Sequence, residues 1–161
     1  MEILDIVDRD DKVIGNATRE EMYKKSLCHR IVHILVFNSE GKMVLQKRSD
    51  KVSFCPNHWS TAVGGHVQMG ETYEEAALRE YQEELGAVSE LELVGKVFYE
   101  AVGGPKKFLT IFKTQFDGQF NPDIEEVSEV CFFDISEIKE MIKKGEMFHP
   151  ELVFIINKYY S

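Results

Sequence analysis

A chain of 161 residues with 43% hydrophobic and 11% aromatic content can bury a sizeable core, which excludes a disordered or fibrous protein. A formal net charge of −9 argues against nucleic acid or an anionic membrane as partner, and no apolar run is long enough to span a bilayer. The acidic start MEILDIVDRDD has no basic, apolar leader character, and Cys28, Cys55 and Cys131 are odd in number and scattered. The expectation is a cytoplasmic protein with reduced thiols, neither disulfide-bonded nor zinc-binding.

Residues 3–7 and 12–17 flank the polar turn Asp8-Arg9-Asp10-Asp11 and read as a hairpin. Thr18-Arg-Glu-Glu21 has the form of a capping box, so a short helix should follow to about Lys25. The run RIVHILVF, 30–37, is nearly continuous, apolar and β-branched, as a buried strand requires. A turn at 38–42 leads to a strand at 43–48, a loop at 49–57 containing Pro56, and a short strand from Trp59 to Val63 that enters Gly64-Gly65.

The next stretch, GHVQMGETYEEAALREYQEELGA at 65–87, carries the chemistry. Thr72-Tyr-Glu-Glu75 is a second capping box, and Gly86 suits the left-handed position that ends a helix. Ala77, Tyr81 and Leu85 should form the buried stripe, widened by Leu78, with Glu80, Glu83 and Glu84 side by side on the opposite face. Three adjacent carboxylates repel one another. They suit either an oxygen-ligated divalent cation such as Mg2+ or Mn2+, or a plain solvated acidic surface.

Beyond it, residues 90–102 and 107–116 read as two strands around Gly103-Gly104-Pro105, 117–126 as a polar loop, and 127–133 as a last strand. Asp134 should cap a helix to about Lys144, stopped by Gly145, and His149-Pro150 should open a final helix to about Tyr160. Strands and helices without regular alternation indicate an α+β fold, a mixed sheet with helices on its faces. Apolar positions in the hairpin and the last helix are compatible with either a homodimer or closure of the core.

Gly65, Glu71, Arg79, Glu80, Glu83, Glu84 and Gly86 stand at the spacing of the Nudix box, G-x5-E-x7-R-E-U-x-E-E-x-G-U, which the stretch resembles at every fixed polar and glycine position. Its two bulky apolar positions hold Tyr81 and the smaller Ala87. The resemblance implies one Nudix-type α/β/α sandwich over 1–161, with the hairpin of about 1–28 as an extension. It also implies Mg2+ on Glu80, Glu83, Glu84 and the Gly65 carbonyl, and cleavage of a small-molecule diphosphate. In that scheme Glu84 or Glu83 is the catalytic base, or else downstream Glu125 or Glu126, and Glu71 pairs with Arg79 to hold the turn against the helix.

Residues 2–70 further resemble the subgroup that includes isopentenyl diphosphate isomerase, through the DIVDRDDKVIG hairpin, His29, Phe37-Asn38, Trp59 and Gly65-His66. The isomerase needs an acid/base cysteine where this chain has Gly64, a further histidine where it has Met22, and glutamates on the strand around 108–112, which has none. His29 and His66 are the two histidines that match. His66 is a candidate substrate contact or a turn-filler, and Arg48 a candidate phosphate contact, since its planar fork suits phosphate oxygens. Phe54 and Trp59 are candidates for stacking on a base or for ordinary packing, and Lys106 and Lys107 read as a hairpin tip. No SQPWPFPxS-like NADH signature follows the box, and the nearest downstream tyrosine, Tyr99, is a loose match to the dinucleoside polyphosphate pattern. The expected class is a nucleoside diphosphate linked to another moiety, with an isomerase-like enzyme or a noncatalytic nucleotide-binding domain as alternatives.

Overall fold

The structure, a computed structural model, describes residues 1–161. The hairpin pairs β1 (Ile3–Val7) with β2 (Val13–Thr18), and α1 (Arg19–Lys25) starts at the Thr18 capping box. Leu4, Ile6, Ala17 and Met22 pack together as a small core of their own. The hairpin is tied down by its turn. The Asp11 carboxylate accepts hydrogen bonds from Arg30 Nε at 2.8 Å, from the Tyr73 hydroxyl at 2.8 and 2.9 Å, and from Lys96 Nζ at 2.7 Å.

The main sheet is mixed and has seven strands. Its centre is β3 (His29–Phe37), buried on both faces along most of its length as its apolar run requires. It runs parallel to β8 (Lys106–Gln115), which pairs with β7 (Glu92–Glu100). On the other side, β6 (Val63–His66) pairs antiparallel with β3. The strand β4 (Met43–Arg48) carries β5 (Trp59–Thr61) and β9 (Val127–Phe133) on its two edges. The single strand expected at 59–63 is two: the chain breaks pairing at Ala62, and Gly64 and Gly65 join the sheet opposite His33 and Val32.

One face of the sheet is covered by α2 (Tyr73–Leu85) through Val32, Ile34, Val63, Ala76, Ala77, Tyr81 and Leu85. The other is covered by α3 (Ile135–Lys143) and α4 (Pro150–Tyr159) through Ile31, Leu35, Leu109, Ile111, Ile138, Leu152 and Ile155. The α+β expectation is met: helices lie on both faces of a mixed sheet. No helix is long and apolar enough to cross a membrane, and the three cysteines are free.

Candidate functional site

The helix α2 is fixed at both ends. Thr72 and Glu75 form the reciprocal capping box, and Gly86 takes φ +63°, with its amide bonded to the Gln82 carbonyl. Its acidic residues are not one solvated face turned away from the sheet. Glu83 is exposed, Glu80 is mostly covered and Glu84 is buried among the core residues. The reason is angular. At 100° per residue, Glu84 comes back almost over Ala77 and shares its side of the helix.

Gly65 explains how Glu80 fits. A Cβ at Gly65 would collide with the Glu80 carboxyl and stand 2.8 Å from its Cγ, so the strand can lie this close to α2 only where a side chain is missing. Glu84 faces β4. Its Oε1 accepts a hydrogen bond from Gln46 Nε2 at 2.7 Å, and its Oε2 is buried with no donor other than a proton shared with Glu80. Burial, then the hydrogen bond and charge of Glu80, push the Glu84 carboxyl well above the usual range, against the pull of Gln46. Burial also raises Glu80, partly offset by the hydrogen bond with Glu84 and then by Arg79.

Arg79 knits the turn to the helix. Nε and Nη2 grip the Glu71 carboxylate at 2.7 and 2.9 Å, Nη2 also donates to the His66 carbonyl at 3.0 Å, and Nη1 reaches Glu80 at 2.8 Å and Glu83 at 3.3 Å. Glu71 in turn accepts the Gln68 amide at 2.8 Å. Burial alone would raise Glu71, but Arg79 and the Gln68 amide hold it below its ordinary value. No three acidic, histidine or cysteine side chains converge as a ready-made cation cage, and Arg79 takes up oxygens of Glu80 and Glu83.

The 117–126 loop closes on the end of α2. The amides of Asn121 and Asp123 donate to the carbonyls of Leu85 and Glu84 at 2.7 and 2.9 Å. The two downstream carboxylates part company there. Glu125 is exposed and pairs with Lys51 Nζ at 3.2 Å. Glu126 is near enough for its charge to act on Glu84, and it is itself raised by partial desolvation and by Asp123. Arg48, at the end of β4, donates from Nε to the Phe54 carbonyl at 2.9 Å, and its charge pulls against the rise at Glu126.

Alternation along β6 sends Gly64 and His66 to the opposite face from Gly65. A Cβ at Gly64 would stand 3.2 Å from His33 Nδ1 and 3.6 Å from Thr61 Oγ1, two atoms that are hydrogen-bonded to each other at 2.7 Å. His66 lies in a cluster with His29 and Tyr23. The two imidazole centroids are 5.5 Å apart, and the Tyr23 hydroxyl is 3.4 Å from His66 Nε2. Burial lowers His29 to about 4 and His66 to about 3. His29 Nδ1 donates to the Leu27 carbonyl at 3.0 Å, which leaves Nε2 as a buried lone pair without a partner.

Three residues of this region were not legible as a group. Lys107 is not at a hairpin tip. It is buried, with Nζ 3.0 Å from Glu151 Oε2, while His33 Nε2 holds the other oxygen at 2.8 Å. Burial would raise Glu151, but His33 and Lys107 hold it well below the carboxylate range. Gln46 gives only a weak sequence signal, an amide directly after the apolar run Met43-Val44-Leu45. Trp59 packs edge-on against Phe133 with centroids 5.3 Å apart, and Phe54 is exposed.

A family profile described as the NUDIX domain matches residues 28–154. An uncharacterized Nudix hydrolase of Nostoc sp. is 34% identical over an alignment covering 100% of this chain and 97% of that protein. An isopentenyl-diphosphate Delta-isomerase of Serratia proteamaculans is 32% identical over 86% of this chain and 80% of its own. The crystal structure of DR0079 from Deinococcus radiodurans superposes with a TM-score of 0.85 at 26% identity, covering 99% of this chain and 100% of that one.

Proposed function

The chain belongs to the Nudix family, and from that membership we propose that this hydrolase uses Mg2+, with Mn2+ as the alternative, to cleave the diphosphate linkage of a nucleoside diphosphate joined to another moiety. We take the whole chain as one Nudix domain with the hairpin as an extension. The observation that carries the reading is the buried pair Glu84 and Glu80: two desolvated carboxyls in contact, one anchored by Gln46, which without a cation can share only a proton. Two such groups repel one another once ionised, so the pair is a place kept for a cation.

The donor set fits a hard divalent cation. Glu80, Glu83, Glu84 and the Gly65 carbonyl are all oxygen ligands, and no thiol or imidazole is among them. When bound, such a cation neutralises diphosphate charge and acidifies water at phosphorus. The remaining work belongs to side chains. Glu84 or Glu83 accepts the proton from the attacking water, or Glu126 does so from the loop, where its raised pKa suits a base. Arg48 and His66 contact the substrate phosphates. Arg79 and Glu71 hold β6 and α2 in register, acting on the chemistry only through that position.

Two other readings have less support. The isomerase-like relative gives the first its standing, but Gly64 carries no titratable group, β8 (KKFLTIFKTQ) has no glutamate, and Met22 is core. A noncatalytic nucleotide binder would have no need of the complete set of box glutamates. The test is turnover of a panel (nucleotide sugars, ADP-ribose, NADH, CoA, FAD, diadenosine polyphosphates and isopentenyl diphosphate) with and without Mg2+, repeated on Glu83→Gln and Glu84→Gln. Cation-dependent hydrolysis lost in both variants is the expected result. Hydrolysis surviving both would remove these carboxylates from the mechanism.

A further inference from the structure

Beside His66, α1 and the 49–58 loop enclose an open cleft of about 510 Å3, lined by Arg19, Glu20, Tyr23, Ser53 and Phe54. Two large aromatic side chains face this one space while 39% and 47% exposed, Tyr23 and Phe54 respectively. Aromatic surface left open in a concavity usually serves a contact. Neither ring is loose. Tyr23 stands edge-on to both His29 and His66, with centroids 6.4 and 6.1 Å apart, and its hydroxyl meets His66. Phe54 stands edge-on to His149 at 5.3 Å, and its carbonyl is held by Arg48. The Arg19 guanidinium lies over the Tyr23 ring, 5.8 Å from its centroid.

We infer that this cleft is a ring-binding subsite in which the base of a nucleotide substrate stacks between Tyr23 and Phe54, with Arg19 and Glu20 at its edge reading the polar rim. The inference rests on the hydrolase reading and deepens it by placing the nucleoside part of the substrate on α1 and the 49–58 loop. An alkyl chain fits worse, because it would cover Arg19, Glu20 and Ser53 without offering them a hydrogen bond. A heteroaromatic ring offers a π-face to each wall and donors and acceptors to the edge. His66 links the subsite to the box, since its ring abuts Tyr23 while its carbonyl is bound by Arg79.

The experiment is a binding titration by calorimetry with AMP, CMP, GMP and UMP, and with ribose 5-phosphate as the base-free control. It is run on the wild type, Tyr23→Ala, Phe54→Ala, Tyr23→Phe and Phe54→Tyr. Nucleotides should bind more tightly than ribose 5-phosphate, each alanine should weaken them about 10-fold, and the aromatic exchanges should restore binding. Ribose 5-phosphate should bind all five proteins alike. Transferred NOEs from base protons to the Tyr23 and Phe54 rings of the wild type read the same contact without a variant. Equal affinity of nucleotides and ribose 5-phosphate, or alanine variants that bind as the wild type does, overturns the subsite. Discriminating nucleotide binding with no diphosphate cleaved leaves the subsite standing and removes the hydrolase reading. Hydrolysis whose KM ignores both alanines does the reverse.

Discussion

Gln46 and Glu84 meet at 2.7 Å inside the protein, and that hydrogen bond is the only one the Glu84 carboxyl receives from a neutral donor across the sheet. Replacing Gln46 with Met keeps the volume and removes the donor. A hydrogen bond to a charged group contributes roughly 1.5–3 kcal/mol, so the acidic limb of the pH–rate profile should move up by about one to two pH units. The profile is measured at saturating Mg2+. An unmoved limb would mean that Glu84 does not ionise in the rate-limiting step.

Glu84→Gln should separate activity from stability. The folded pKa of Glu84 lies above its unfolded value, so its contribution to folding is present at low pH and is lost as pH rises through the raised value. At pH 8 without cation the variant should therefore melt higher than the wild type, by a few degrees if about 1 kcal/mol is recovered. Mg2+ should raise the wild-type melting temperature and leave the variant unchanged. Thermal melts with and without Mg2+ or EDTA read both effects.

Gly65→Ala places a methyl group into the Glu80 carboxyl. Overpacking of this kind costs roughly 1–3 kcal/mol, and β6 must retreat from α2 to relieve it. The expected outcome is a lowered urea midpoint together with loss of Mg2+-induced stabilisation. Arg79→Lys should lose both halves of the Glu71 grip and the His66 carbonyl bond, costing about 2 kcal/mol, because an ammonium cannot reproduce the planar fork.

The buried histidines should cost the fold stability in acid, against the opposite contribution of the raised Glu80 and Glu84 carboxyls. His29 and His149 are each lowered to about 4 by burial, with Glu151 opposing at both and Lys107 adding to both, while Arg48 and His33 add at His149. Both groups take up protons near pH 6.5 only when unfolded, so their contribution to stability is full above 6.5 and falls as pH drops toward 4. Glu151, held low, extends the loss below its unfolded pKa. Because the Glu80 and Glu84 contributions run the other way, the histidine effect is read as a difference: between pH 7 and pH 4.5 the urea midpoint of His149→Asn should fall less, or rise more, than that of the wild type.

Asp11→Asn tests the anchor of the hairpin. Arg30, Tyr73 and Lys96 lose one shared carboxylate, and the partly buried Arg30 is left without its close partner. A cost of roughly 2–3 kcal/mol is expected. Hydrogen exchange should show the loss of protection concentrated in β1, β2 and α1, with the main sheet little changed.

What could be read from sequence was what local chemistry decides. Thr18 and Thr72 cap their helices through side chains three residues apart, and Gly86 ends α2 by its own backbone freedom. The box spacing therefore located the carboxylates without any knowledge of the sheet. Their orientation was another matter. Polarity suggests that Glu84 faces water, whereas helical phase puts it with Ala77, where the amide of Gln46 makes burial tolerable; the space over Gly65 admits Glu80 beside it. Lys107 was misjudged for the same reason. Its partner Glu151 is 44 residues away and comes beside it only when α4 docks. Gly64 and Gly65 looked like a turn by propensity, yet pairing with β3 overrides that preference.

Gly64 sits at a junction of three elements. The vacancy that an isomerase would fill with a thiol is bordered by the bonded pair His33 and Thr61, which also anchors Glu151 and through it α4. Exchange of the one glycine for cysteine would crowd His33 and loosen that helix before any new proton transfer could begin. A side chain at position 64 is thus coupled to β3, β5 and α4 at once, through His33, Thr61 and Glu151.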